Sequence, residues 1–228
     1  MKLKLLRVTN RGGDVKEFVF EPPESFTWGA GQYMHYVIPH EADDRGIERW
    51  FTISAAPSEG EIRITTRFNP EHSSSFKKQL AAMQPGDEIE ADGPEGDFTI
   101  QDPSRNYLFI VGGIGITSIR SMLVEAAARG IKLNATILYA NRSEQDIPFR
   151  DELEAMKEQN PNLKIEYVIE PDRLDEARLS AAIQAIDNPL IYISGPEPMV
   201  KSLAEQIKAM GVAEENIKLD DFPGYERI

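Results

Sequence analysis

Residues able to do chemistry fall in four short runs of this chain. RWFTISAAP, residues 49–57, puts the cation Arg49, the rings of Trp50 and Phe51 and the hydroxyls of Thr52 and Ser54 on one stretch. VGGIGITSI, residues 111–119, brings Gly112, Gly113 and Gly115 together, with Thr117 just beyond. Glycines before a helix let main-chain N–H groups approach a pyrophosphate, and the helix dipole favours the anion. Thr117 can cap the helix or donate. The spacing departs from G-x-G-x-x-G, and a tight strand-to-helix turn would need the same glycines. YANRSEQDIPFRDEL, residues 139–153, offers Asn141, Arg142 and Ser143 where an adenosine ribose would lie, though Arg142 equally suits a solvated surface. YISGPEPMV, residues 192–200, ends a strand on Ser194 and turns at Gly195 and Pro196. A serine at a strand tip is more often a cap than a nucleophile, and no G-x-S-x-G elbow surrounds this one.

These runs need elements to hold them. Up to about Ile100 the periodicity is that of short strands: KLKLLRVT, VKEFVFE, QYMHYVIP, WFTISAA, EIRITTRF and DEIEADG, separated by Gly, Pro and acidic turns. Such closely spaced strands predict a small antiparallel barrel. One helix interrupts them at SSSFKKQLAAM, with serines to cap it and Pro85-Gly86 to stop the chain beyond. After Pro103 apolar strands alternate with amphipathic helices, from NYLFIVGG to NIKLDDF. That alternation predicts a doubly wound parallel sheet, whose ligands bind beyond the carboxyl ends of the strands. Two domains are expected, residues 1–102 as the barrel and 103–228 as the α/β sheet, divided near IQDPSRN.

Composition removes several function classes. The chain of 228 residues has no cysteine, hence no disulfide, thiolate zinc site, cysteine-ligated iron–sulfur cluster or cysteine nucleophile. Its three histidines, His35, His40 and His72, make no metal-ligand pair, so no catalytic metal is expected. The formal net charge of −13 argues against nucleic acid, which needs a basic stripe. The same charge serves solubility, or steers a partner with a positive face. No apolar run reaches the length of a membrane span. The opening MKLKLLRVTN lacks a signal-peptide core, so a cytoplasmic location is expected.

In order and spacing, RWFTIS, GPEGDF, GGIGIT and SGPEPM together resemble the ferredoxin reductase-like flavoprotein family over essentially the whole chain. The resemblance implies FAD and NAD(P)H as cofactors. It places Arg49 on the flavin pyrophosphate, where a guanidinium suits a bidentate anion. Phe51 takes the position of a family tyrosine that lies against the isoalloxazine, and Thr52 that of the hydroxyl reaching the reactive N5. Ile53 and Ser54 complete the flavin run. Ser74 and Ser75 are implied as holders of the second phosphate with Arg67 adding charge, although Glu71 and His72 stand where the family has a glycine. Gly93, Pro94 and Gly96 read as a shaped turn at the domain junction. The family's nicotinamide loop reads Cys-Gly-Pro, and here Ser194 replaces the cysteine; Ser118 replaces a family proline. Phe222 or Tyr225 of the tail is expected to cover the flavin face.

The resemblance further implies a reductase that delivers electrons to a separate acceptor protein: a ferredoxin, flavodoxin, haem protein or membrane complex. A small acceptor such as free flavin or a ferric chelate is the alternative, as is a non-catalytic flavin- or nucleotide-binding subunit. Glu144 and Asp146 oppose a 2′-phosphate that Arg142 could hold, so NADH is expected over NADPH.

Overall fold

The computed structural model describes residues 1–222 apart from Pro70, and for Asp146 and Phe222 the backbone only. The first half is antiparallel: β1 Lys2–Asn10, β2 Val15–Glu21, β3 Tyr33–Val37, β4 Glu48–Thr52, β5 Ile62–Arg67 and β6 Glu88–Glu95. They lie in the order β4-β3-β6-β1-β2-β5. Alternation buries Leu3 and Leu5 of β1, Phe18 and Phe20 of β2, Met34 and Tyr36 of β3 and Ile62 and Ile64 of β5 in one core. A register shift between Leu5 and Arg7 bends β1, as a bulge does. The edge strands β4 and β5 meet just past the end of β4, where Ser54 N–H donates to the Arg63 carbonyl at 2.9 Å. That bond draws the curled sheet into the expected barrel. Helix α1, Ser75–Ala82, is capped by Ser74 Oγ on Lys77 N–H and drives Phe76 and Leu80 into the barrel core.

The second half alternates: β7 Asn106–Gly112, α2 Ile116–Ala128, β8 Asn134–Asn141, α3 Arg150–Gln159, β9 Leu163–Ile169, α4 Glu176–Gln184, β10 Leu190–Pro196, α5 Glu197–Ala209 and β11 Ile217–Phe222. All pairings are parallel, in the order β11-β10-β7-β8-β9. The centre of the sheet is apolar on both faces. Tyr107, Phe109 and Val111 of β7 pack against Ile116, Ile119 and Leu123 of α2, while Leu108 and Ile110 pack toward Leu179 of α4 and Val200 and Leu203 of α5. A single 3-10 turn at Gly113–Gly115 runs straight into α2, and Asp175 caps α4 ahead of Leu179. No helix among the described residues is long and apolar enough to cross a membrane.

The halves touch along α2 and at the GPEGDF turn. Ser121 Oγ donates to the Ala55 carbonyl at 2.8 Å, and Trp28 Nε1 donates to the same oxygen at 3.2 Å. Ser58 N–H donates to Glu125 at 2.8 Å. At the turn, Phe98 lies 4.9 Å from Tyr192 ring to ring, and the Tyr192 hydroxyl donates to Thr99 O at 2.9 Å.

Candidate functional site

Strand order reverses at β7: the chain leaves it toward β8 and β9, then returns through β10 to its other side. Such a crevice beyond the strand ends is where open α/β sheets take their ligands. Gly113, Gly115, Thr117, Ser194 and Gly195 converge there. The turn Gly113–Gly115 abuts β10 and β11 of its own sheet and β5 of the barrel.

The three glycines do different work. Gly113 has φ +51°, and a Cβ on it would meet nothing within 4 Å, so its bare backbone faces open space. At Gly115 a Cβ would lie 2.5 Å from the Ser194 carbonyl, so this glycine lets β7 and β10 close up. Gly112 is buried against Met199, as is Gly195. The turn is pinned from the next strand: Tyr139 of β8, fully buried, donates its hydroxyl to Gly113 O at 2.9 Å. Thr117 Oγ1 donates back to Ile114 O at 3.1 Å, a local cap.

Ser194 is fully buried, and its hydroxyl is shared between Gly115 O at 3.0 Å and Asp220 Oδ2 at 2.9 Å. Ser118 Oγ sits 3.4 Å from Ser194 Oγ and donates to Gly115 O at 3.1 Å. Burial pushes the half-buried Asp220 up to about 6, aided by like charge on Asp221, while Ser194 and Ser118 pull against the shift. Asp220 escapes a reading of the sequence because Asp220-Asp221 looks like solvated charge. The parallel register sets it directly opposite Ser194.

In the barrel, Arg49 of β4 and Tyr36 of β3 are register partners, so both side chains lie on one face. Arg49 Cζ stands 5.8 Å from the Phe76 ring of α1, and Phe51 lies 5.9 Å from the same ring. Arg49 Nη1 donates to the carbonyls of Arg45 and Glu48, but Nη2 is buried without a hydrogen-bond partner. No carboxylate among the described residues pairs with this guanidinium. Its partial burial pulls its pKa below the usual arginine value, with Arg45 adding like charge. Asp43 and Glu48 act on it only at longer range, so a half-buried cation with a spare donor and no salt bridge fits an anion such as pyrophosphate. At the end of β8, Asn141 is 8% exposed; its buried amide lies beside the Tyr139 hydroxyl, and neither polar atom has a partner in good hydrogen-bond geometry. That deficit fits a polar ligand beside the nucleotide strand ends.

Other expected residues are already committed. Thr52 is buried at the end of β4. Ile53 buries its side chain in the barrel core and donates its N–H to Gln32 O at 2.9 Å, so it has no donor left for a ligand. Ser54 Oγ hydrogen-bonds Thr65 Oγ1 at 2.7 Å and so braces the barrel seam. Arg67 pairs with Asp14 at 2.6 Å, a barrel ion pair. Ser74 spends its hydroxyl as the cap of α1. Ser75 is taken by the β3–β4 loop: its N–H donates to Asp43 Oδ2 at 2.7 Å, and its Oγ accepts from Asp43 N–H at 2.9 Å and contacts His40 Nε2 at 2.8 Å. The anion at the start of α1 is the carboxylate of Asp43. The Ser75 N–H holds that carboxyl below the usual carboxylate range. Arg142 is exposed, and the neighbouring Glu144 pairs with Arg150 at 3.3 Å. Pro196 and Phe222 are backbone partners across β10 and β11; the side chain of Phe222 and all of Tyr225 lie outside the described residues.

Residues 109–205 match the family model of the oxidoreductase NAD-binding domain. Ferredoxin–NADP reductase B of Sorangium cellulosum is 31% identical over 159 residues, 68% of this chain and 64% of that protein. The chain belongs to the ferredoxin reductase-like family of FAD- and NAD(P)-binding oxidoreductases. Another relative in the family's range is the toluate 1,2-dioxygenase electron transfer component of Pseudomonas putida, 26% identical over 84% of this chain and 58% of that one. The chain spans less than two thirds of either relative's length. The family fold is matched by the crystal structure of Amycolatopsis cytochrome P450 reductase GcoB, with TM-score 0.82, 20% identity and coverage of 97% of this chain and 70% of that one.

Proposed function

We propose that this chain is an NAD(P)H-dependent flavoprotein oxidoreductase that takes electrons from NAD(P)H, NADH by preference, and delivers them by way of FAD to a separate electron-acceptor protein. The observation that carries this reading is Arg49. A half-buried guanidinium with an unpaired donor and no salt-bridged carboxylate among the described residues stands three residues before Thr52 on β4.

FAD, when bound, supplies the exchange between two-electron nicotinamide and one-electron acceptors. The chain's own residues bind and orient. Arg49 holds pyrophosphate, Phe51 packs beside the ring system, and the Thr52 hydroxyl points a hydrogen bond at the reactive nitrogen. The first amides of α1 and the hydroxyls of Ser74 and Ser75 take the second phosphate once Asp43 gives way. The open backbone of Gly113 and the start of α2 face the nicotinamide nucleotide's phosphates. Asn141 and Arg142 border its adenosine end. Ser194, Gly195 and Pro196 form the nicotinamide loop, with Asp220 fixing the Ser194 hydroxyl. Residues 1–102 and 103–228 are read as the two domains.

The relatives support a protein acceptor, one named for ferredoxin and another for a dioxygenase. A net charge of −13 suits an acceptor with a positive face, and a cytoplasmic location goes with this reading. Glu144, near the expected 2′ position, supports NADH. The test is anaerobic stopped-flow bleaching of the FAD-loaded chain by each nucleotide. Bleaching with a higher kcat/KM for NADH is expected. A clear NADPH preference abolished by Arg142→Ala would overturn the nucleotide assignment, and a chain that binds neither FAD nor NADH would overturn the function.

A further inference from the structure

We propose that Arg120 is a positioning residue: it sets the gap across which hydride passes by locking the first turns of α2 to the end of the strand that carries Thr52. The inference rests on the functional reading above. Arg120 is 4% exposed and stands in the apolar stripe of α2, beside Ile116, Ile119 and Leu123. An arginine there needs every donor satisfied. Its Nη1 donates to the Ser54 carbonyl at 3.1 Å and pairs with Glu59; Nη2 donates to Glu59 Oε1 at 2.9 Å; Nε donates to Glu152 Oε2 at 2.8 Å. Its guanidinium lies over the Phe149 ring at 5.5 Å. One rigid fork thus joins the segment after Thr52, the turn at Pro57–Glu59 and α3. Glu59 also accepts from Ala56 N–H at 2.7 Å, which folds that turn onto the arginine.

The same helix carries the other side of the site. Ser118, two residues before Arg120, bonds Gly115 O and approaches the Ser194 hydroxyl. Two residues of α-helix rise about 3 Å. Thr52's strand end and the Ser194 loop are therefore referenced to one rod, less than a turn apart. Ser121 strengthens the barrel side by its bond to Ala55 O.

Charge balance alone does not require Arg120. Glu59 keeps Arg63 at 2.9 Å, and Glu152 keeps Arg11 at 3.1 Å. What Arg120 adds among these cations is the bond to the Ser54 carbonyl. Removing it should leave no bare carboxylate, so the fold survives while the spacing relaxes. Misplacement of reacting atoms by about 1 Å can slow a reaction on the order of a hundredfold.

The experiment compares Arg120→Met, Arg120→Lys and Arg11→Met in the full chain. Hydrogen–deuterium exchange on the ligand-free proteins should show faster exchange at residues 53–59 for Arg120→Met and not for Arg11→Met. With FAD bound, flavin reduction at saturating NADH should fall about 10- to 100-fold in Arg120→Met. FAD affinity should stay near the parent value; Arg11→Met, which takes the arginine from buried Glu17 and so melts lower, should still keep the parent reduction rate. Arg120→Lys, which restores the charge without the fork, should recover only part of the rate. A reduction rate within twofold of the parent in Arg120→Met, or unchanged exchange at residues 53–59, overturns the proposal. A parent chain that NADH does not bleach would instead sink the functional reading, and the exchange comparison would still decide whether Arg120 locks the segment.

Discussion

Replacing Asp220 by Asn should make the protein more stable near neutral pH, with a gain that fades in acid. The folded-state pKa of this carboxyl is about 6, raised from 3.8 chiefly by burial. A carboxyl whose pKa is raised on folding binds its proton more tightly in the native state. Its ionisation therefore opposes folding above the unfolded pKa, and the penalty grows as pH rises through the window between the two values. At 1.36 kcal/mol per unit, the penalty is about 3 kcal/mol at pH 7.5 and about 1 kcal/mol at pH 4.5. Asparagine keeps an oxygen to accept from Ser194 and carries no charge, so Asp220→Asn should recover most of that difference. For a chain of this size, 1 kcal/mol moves the melting temperature by roughly 2–4 °C. Urea denaturation of parent and variant at pH 4.5, 5.5 and 7.5, with slopes compared to confirm two-state behaviour, measures the effect. A variant no more stable than the parent at pH 7.5, or an advantage that does not shrink toward pH 4.5, would refute the reasoning.

Arg49→Ala should weaken FAD binding on the order of ten- to a hundredfold, the effect of losing a charge-assisted contact of roughly 1.5–3 kcal/mol; equilibrium fluorescence quenching measures it, and unchanged affinity would remove Arg49 from the site. Ser194→Ala should slow flavin reduction by NADH while FAD affinity stays the same, because the hydroxyl bonds Gly115 and Asp220 and not the barrel; equal losses in both would make Ser194 a purely structural turn residue. Asp43→Asn should tighten FAD severalfold and leave riboflavin, which has no phosphate, unaffected. Asp43 stays ionised throughout the neutral range because its pKa is lowered, so the contrast between FAD and riboflavin should persist from pH 6 to 8. A parallel rise for both ligands would show that the loop acts by steric cover and not by charge.

Most of the frame was legible in the order of residues because period and burial agree. In β7, residues 107 to 111 alternate between two helical layers, and a run apolar at every position has no other comfortable home than a sheet covered on both faces. The start of the helix that follows is hard to read from the residues, because Gly-Ile-Gly looks like loop while its backbone turns straight into α2. The site was legible where a residue's type is unusual for its local element, as with Gly113. It was hidden where the partner is far along the chain. Asp43 reaches Ser75 across 32 residues, and Ser194 reaches Asp220 only through the register of two parallel strands. Arg120 did leave a trace, a charge inside an apolar helical stripe, and such a trace gains meaning only when its carboxylates from Glu59 and Glu152 are seen converging.

The bond from Trp28 to the Ala55 carbonyl gives the chain a ready optical reporter. There are two tryptophans in the sequence. Trp50 is 53% exposed on the outer side of the barrel, while Trp28 is partly buried and tied to the segment that α2 grips. Iodide in solution should therefore quench Trp50 emission strongly and Trp28 emission weakly. A Trp50→Phe protein would leave a single emitter at the junction of the two halves. Its colour would shift to the red when that junction opens, even while each half keeps its own helices and strands. Separation of the halves and melting of each half could then be followed as distinct events in one sample.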